Sequence, residues 1–237
     1  MGRPVYAIFV AGGSGSRMGT ELPKQFLKLD GTSILRRTIE RFLDAESAAH
    51  VITVLPRGHI QTWKEMCIER PAGFGQTIVA GGMTRFHSVQ NALAKVPDGA
   101  IVAVHDGVRP LFTPQLVRNM LDRMESCPAL VPAVPVTDTL RFTEAGVPAP
   151  DRSKLCAVQT PQMFWSELLK KAYRQPYDTA FTDDASVAER AGIPIEITPG
   201  ERYNIKITTP EDLPLASALL RLESRSRQET GLPPSCW

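Results

Sequence analysis

The run Val5–Val10 (VYAIFV) is apolar throughout and opens directly into Ala11-Gly12-Gly13, and no other stretch restricts the fold as much. A strand with one face in water alternates apolar and polar residues. An unbroken apolar run of strand length is buried on both faces, the condition of a parallel sheet covered by helices on either side. The continuation agrees. Ile34, Leu35, Ile39, Phe42 and Leu43 share one helical face between Ser33 and Leu43, and Val51–Leu55 (VITVL) supplies a second buried strand, completing a strand–helix–strand unit. A helix over Gln61–Glu69, a short strand at Thr77–Val79, a helix over Thr84–Lys95 and a strand at Ile101–Val104 repeat the alternation. Thr113-Pro114 reads as the cap and first residue of another helix, with Leu116, Val117, Met120, Leu121 and Met124 on its buried face; Ala129–Val134 is the strand after it.

The rhythm breaks between Val136 and Val158. Two short β-like pieces, Thr139–Phe142 and Lys154–Val158, flank a turn-rich centre at Glu144–Pro150, which predicts an arm projecting from the sheet. Helical patterns return at Ser166–Tyr173 and Asp183–Ala191, followed by a strand at Ile193–Thr198. Thr209-Pro210-Glu211-Asp212 then opens a last helix with a cap, an N1 proline and first-turn acids. This alternation predicts an α/β fold, a doubly wound, mostly parallel, Rossmann-like sheet with a projecting β-arm. Residues 1–222 are expected to form one domain with 136–158 as its arm, and 223–237, polar and proline-containing, a loose C-terminal tail.

Apolar residues make up 43% of the chain and charged residues 22%, the balance of a globular protein with a sizeable core. Twenty-seven Lys and Arg against twenty-five Asp and Glu leave a formal net charge of +2. No global field therefore draws the protein to nucleic acid or to an anionic membrane, and any polyanion must be held locally. Cys67, Cys127, Cys156 and Cys236 lie far apart, with no C-x-x-C pair and no clustered histidines that would make a zinc site, which fits a reducing, cytoplasmic compartment. Neither a signal peptide nor a membrane-spanning run is expected.

Ala11-Gly12-Gly13-Ser14-Gly15-Ser16-Arg17-Met18-Gly19, followed by Leu22-Pro23-Lys24-Gln25-Phe26, carries the strongest functional signal. Glycines let a backbone approach a ligand closely and turn several N–H groups toward phosphate oxygens, although glycines alone serve a tight connection equally well. Arg17 and Lys24 beside them favour an anion cradle. Neither familiar phosphate loop is matched: Met18 stands where the dinucleotide fingerprint needs its third glycine, and Gly19-Thr20 where the Walker pattern needs Gly-Lys-Ser/Thr. Asp106 ends a predicted strand, where doubly wound sheets bind ligands. One carboxylate with phosphate oxygens can hold Mg²⁺, and an Asp before Gly107 can equally form a turn. Lys206 alternates with Ile205 and Ile207, so in a strand its amine points away from the core, to ligand or to water.

The string A-G-G-x-G-x-R-M-G and then P-K-Q-F resembles the signature of nucleoside triphosphate transferases acting on sugar phosphates. Further motifs are similar, in order, to those of the 2-C-methyl-D-erythritol 4-phosphate cytidylyltransferase family. They are Gly81-Gly82 with Arg85 and Ser88, His105-Asp106-Gly107-Val108-Arg109-Pro110, Gln159-Thr160-Pro161-Gln162, Thr182-Asp183-Asp184-Ala185-Ser186 and Asn204-Ile205-Lys206-Ile207-Thr208. The likeness runs from about Tyr6 to Leu220. The ribitol-5-phosphate cytidylyltransferase family shares most of these motifs, while Thr182–Ser186 and Asp151-Arg152-Ser153 look more like the methylerythritol family.

The resemblance implies an Mg²⁺-dependent transfer of CMP from CTP to a sugar-alcohol phosphate, with release of pyrophosphate. It implies that Arg17 and Lys24 stabilise the triphosphate and the transition state, and that Ala11, Gly12, Gly13, Gly15, Gly82, Met83 and Ser88 bind CTP. Asp106 and Arg109 would lie in the acceptor site, Asp106 also holding the metal. Lys206, Thr182 and Arg152 would grip the acceptor phosphate, with Thr139 nearby. Arg152 would come from the arm of the neighbouring subunit, so that the active site belongs to a homodimer. Position 83 often carries Asp in this family, and Met83 offers no strong side-chain hydrogen bond; a contact from its backbone would preserve CTP preference, whereas a need for the carboxylate would weaken base selectivity. The competing readings are a non-catalytic nucleotide-binding protein of the same fold, opposed by intact Arg17, Lys24, Asp106 and Lys206, and a nicotinamide-dependent oxidoreductase, opposed by the missing glycine.

Overall fold

The structure, a computed structural model, describes residues 2–12, 22–69 and 73–230, the side chains of 226–230 excepted. After β1 (Val5–Val10), a 3-10 turn at Lys24–Phe26 and a small hairpin, β2 (Lys28–Leu29) and β3 (Thr32–Ser33), lead into α1 (Ile34–Leu43). Then follow β4 (His50–Leu55), α2 (Ile60–Glu69), β5 (Gln76–Ala80), α3 (Arg85–Leu93), β6 (Ile101–Asp106), α4 (Pro114–Arg123) and β7 (Ala129–Pro135). Beyond the arm come β8 (Cys156–Val158), β9 (Gln162–Trp165), α5 (Ser166–Ala172), α6 (Asp184–Arg190), β10 (Glu196–Pro199) and α7 (Asp212–Thr230).

The main sheet is ordered β10-β7-β9-β6-β1-β4-β5, with β8 also paired to β7. β6, β1, β4 and β5 run parallel, and β10 runs parallel to β7. β9 is antiparallel to both β6 and β7, and β8 is antiparallel to β7. The buried strands need helices on both faces, and the alternation of β1 supplies two cores. Ala7 and Phe9 pack with Leu35, Ile39 and Phe42 of α1, Trp63 of α2 and Val117 and Met120 of α4. On the opposite face Ile8 joins the cluster of Phe86 and Val89 from α3, Leu169 and Ala172 from α5 and Val187 from α6. The sheet is therefore doubly wound, as the alternating sequence predicts. A third cluster seats Ala216 and Leu220 of α7 on Leu29, Ile34, Val108 and Ile207, fixing the segment that carries Lys206.

Three expectations need correction, and one strand leaves no signal in the sequence. The arm has a β-strand only at its return, Cys156–Val158; Thr139–Phe142 forms no ladder, and Arg152–Lys154 make a 3-10 turn. β9, antiparallel and four residues long, is hidden in the sequence by its brevity and by Pro161 just before it. Lys206 lies outside any strand, although Ile207 is buried as expected and its N–H donates to the Val108 carbonyl at 2.9 Å. Finally, α7 begins at Asp212, whose carboxylate accepts from the Thr208 and Thr209 amides, and continues to Thr230, so 223–230 are helical rather than loose. The apolar pattern stops at Leu222, but Glu223 pairs with Arg41 and the Ser224 hydroxyl donates to the Leu220 carbonyl at 3.0 Å. Residues 231–237 lie outside the described residues.

Candidate active site

The chain leaves β1 for β4 on one side and returns to β6 on the other, so the strand order reverses between β1 and β6. At such a switch point the connections diverge and leave a crevice beyond the carboxyl ends of the strands. Val10 and Asp106, paired in register, form its floor. Ala11 continues from β1, its N–H donating to the Val54 carbonyl at 3.0 Å and its carbonyl accepting from Gln25 Nε2 at 2.8 Å. Ala11, at the end of β1, and the Lys24 turn are thus tied together. Phe26 anchors that turn by stacking on Trp63 with ring centroids 6.0 Å apart, leaving Lys24 buried at its start. Gly13, Gly15 and Arg17 lie outside the described residues.

The next wall is the link from β5 to α3. Ser88 is buried; its hydroxyl oxygen accepts from the Gly82 N–H at 3.1 Å, and its proton goes to the Thr84 carbonyl at 2.9 Å. With that proton committed, Ser88 can only accept from a ligand. Gly82 is required sterically, because a Cβ there would stand 2.4 Å from the Cβ of His87. At Gly12 a Cβ would make only an ordinary contact with Ser88 Oγ, at 3.7 Å. Met83, 95% exposed, leaves its thioether in solvent.

Asp106 is the electrostatic centre. Its Oδ2 accepts from Lys206 Nζ at 3.0 Å and Arg109 Nε at 3.1 Å, and the Arg109 Nη1 donates to the Asn204 carbonyl at 2.8 Å. Burial alone would raise the carboxyl pKa, but the charges of Lys206, Arg85 and Arg109 outweigh it and hold Asp106 well below the usual carboxylate range. His105, fully buried, is pushed down to about 4, chiefly by burial, and is neutral at pH 7. It hydrogen-bonds beside the site, to Thr160 and to the Arg109 carbonyl.

Arg85 and Asp184 form a further ion pair beside the site. Arg85 Nη2 donates to Asp184 Oδ2 at 2.5 Å and the Tyr173 hydroxyl donates to Asp184 Oδ1 at 2.6 Å. Gln162 Oε1 accepts from the Asp184 and Ala185 amides, while Asp183 caps α6. The acids of Thr182–Ser186 therefore hold α6 in place, and Thr182 itself is exposed just ahead of them.

Arg152 and Thr139 are exposed on the arm, and Arg152 Nη1 donates to the Thr137 carbonyl at 2.7 Å. Among the described residues neither is bonded to Asp106, Arg109 or Lys206. Arg152 instead lines a cleft of about 890 Å³ between the arm and β10, with Pro135, Cys156 and Ile197.

Fold and site define a class: a doubly wound α/β nucleotidyltransferase with cations gathered on one carboxylate at the switch point. The chain belongs to the IspD family, 2-C-methyl-D-erythritol 4-phosphate cytidylyltransferase, whose model matches residues 5–222. It is 47% identical over 214 residues to the enzyme of that name from Bacteroides thetaiotaomicron, covering 90% of this chain and 98% of the relative. The enzyme of the same name from Porphyromonas gingivalis is 48% identical over 217 residues, covering 91% of this chain and 97% of the relative. Among solved structures, the 2-C-methyl-D-erythritol 4-phosphate cytidylyltransferase of Thermus thermophilus superposes with a TM-score of 0.73 at 33% identity, covering 93% of this chain and all of that one.

Proposed function

We propose that this protein transfers CMP from CTP to 2-C-methyl-D-erythritol 4-phosphate, giving 4-diphosphocytidyl-2-C-methyl-D-erythritol and pyrophosphate for isoprenoid precursor synthesis. The observation that carries this reading is the convergence of Lys206 and Arg109 on Asp106 at the switch point, beside the turn of Lys24. A phosphate monoester, with its second pKa near ~6, is largely ionised at pH 7 and needs no general base. Its oxygen bonds to the α-phosphorus as the bond to the bridging oxygen breaks, and pyrophosphate leaves with the electron pair. The obstacle is repulsion between two anions, which placed cations relieve.

Lys24 and Arg17 are assigned to the triphosphate, and Lys206 and Arg109 to the acceptor phosphate. Half-exposed and resting on Asp106, Lys206 can turn to an arriving phosphate. Cytosine carries a 4-amino donor where uracil carries a carbonyl acceptor. A Ser88 hydroxyl that can only accept favours the former, and it does so without a carboxylate at Met83.

The donor set fits magnesium. Oδ1 of Asp106 is bonded by no described residue, and no described cluster of three or more His, Cys, Asp or Glu exists. Most ligands would then be phosphate and water oxygens, the usual magnesium pattern. When bound, Mg²⁺ would supply charge neutralisation at the triphosphate and the leaving pyrophosphate.

The arm's exposed Leu140, Phe142, Val147, Leu155 and Val158 support a homodimer in which each arm reaches the partner's site. Unpaired Cys67, Cys127 and Cys156 accord with a cytoplasmic location, and among the described residues no helix is long and apolar enough to cross a membrane. The shared site predicts complementation. Arg152→Ala and Lys206→Ala, each inactive alone, recover about a quarter of wild-type activity when co-expressed in equal amounts, because half of the dimers are mixed and each mixed dimer has one intact site. No recovery would place Arg152 in its own chain's site or outside the mechanism. Offered equal 2-C-methyl-D-erythritol 4-phosphate and ribitol 5-phosphate, the enzyme forms the methylerythritol product; a predominant ribitol product would overturn the acceptor assignment.

A further inference from the structure

Behind Asp106, hydrogen bonds close a ring through four residues. Thr160 Oγ1 accepts the Asp106 N–H at 3.0 Å and stands 2.9 Å from His105 Nδ1, while His105 Nε2 stands 3.1 Å from the Arg109 carbonyl. A carbonyl can only accept, so Nε2 carries the ring proton, Nδ1 accepts, and the Thr160 hydroxyl donates to it. Arg109 Nη1 donates to the Asn204 carbonyl at 2.8 Å, and Asn204 Nδ2 donates back to the Thr160 carbonyl at 2.9 Å. His105, Thr160 and Asn204 are buried to 5% exposure or less, so water does not replace a bond that is lost.

We infer that Thr160 is a positioning residue for the transfer reaction: its hydroxyl fixes Asp106 through the main chain and Arg109 through His105, setting the spacing of carboxylate and cations before substrate arrives. Among the described residues no hydrogen bond of Thr160 reaches Gly82 or Ser88. Its hydroxyl has one proton and is committed at both ends, donating to His105 and accepting from Asp106, so no rotation lets another group of the same residue take over. Independently of the hydroxyl, the Asn204 bond ties the Thr160 main-chain carbonyl to the segment of Lys206, two residues on.

The inference rests on the cytidylyltransferase reading, and wild-type turnover measured alongside tests that reading separately. Thr160→Val keeps the shape and removes the hydroxyl. Its kcat falls about ten- to hundredfold, the factor expected when buried polar partners are stranded. KM for CTP stays within about threefold, because base and triphosphate contacts lie elsewhere. Thr160→Ser, which keeps the hydroxyl, stays within about threefold of wild type in kcat. A second readout needs no turnover: the Arg109 Nε–H, bonded to Asp106 in the wild type, exchanges with solvent about tenfold faster in Thr160→Val. If Thr160→Val does not fold, Thr160→Cys against Thr160→Ser makes the same comparison, the thiol being a poor acceptor. Equal losses in the Ser and hydroxyl-free variants would overturn the inference. So would a Thr160→Val enzyme with wild-type kcat and unchanged Arg109 exchange.

Discussion

Lys206→Ala lowers kcat by about 10²- to 10³-fold, the loss that follows removal of one preplaced charge-stabilising group from an active site. The acceptor phosphate must approach the α-phosphate of CTP against like charge. A single positive charge ~4 Å away offsets about 4 kcal/mol at an effective dielectric of 20, before solvent screening of a half-exposed amine reduces it. Lys206 is placed to do this because Asp106 holds its ammonium at 3.0 Å over the crevice, while Ile207 beside it fastens the backbone to the core. The fold survives: the lost group is a half-exposed amine, and Asp106 keeps Arg109. The unfolding temperature therefore shifts by no more than about 4 °C, the change that ~1 kcal/mol brings to a chain of this size. Lys206→Arg keeps the charge but spreads it over a planar fork, and recovers part of the activity. A Lys206→Ala enzyme within twofold of wild type would remove this residue from the mechanism.

Asp184→Asn has the largest expected effect on stability, about 3 kcal/mol lost from the free energy of unfolding in urea. Asp184 is fully buried and accepts from both Arg85 and Tyr173, so the amide leaves a mostly buried guanidinium without its counter-charge and turns an N–H₂ toward one of the two donors. The damage reaches the site through α6, whose first turn Asp184 shares with the amides held by Gln162. A loss below about 1 kcal/mol would show that Arg85 finds solvent easily and that the pair is a surface ion pair in its energetics.

Much of this arrangement is legible in the sequence because burial writes a periodic pattern. The apolar runs of β1 and β4 mark central strands. The Thr113-Pro114 cap appears where α4 begins, with Thr113 accepting from the Leu116 amide. Pattern fails where something other than apolar burial holds the chain. β9 is four residues long and follows a proline, so neither length nor alternation distinguishes it. The last turns of α7 carry polar residues, and an ion pair to Arg41 leaves no periodic trace. Thr139–Phe142 contains β-favouring residues but pairs with no strand among the described residues. At the site, Lys206 and Asp106 are legible as charges, yet their meeting across a hundred residues is set by topology. Thr160, Arg85 and Gln25 are visible only as members of motifs; their work is done through hydrogen bonds to other residues, which spacing does not encode.

Pyrophosphate release from CTP and Mg²⁺ with 2-C-methyl-D-erythritol 4-phosphate tests the central claim most directly. The expected result is release that requires the acceptor, is lost in Lys24→Ala, and falls steeply when UTP, GTP or ATP replaces CTP. Absence of release with every nucleotide, while CTP still binds, would contradict catalysis and leave a nucleotide-binding protein. Equal release with UTP would contradict the assignment of cytosine recognition to Ser88 and the backbone around Met83.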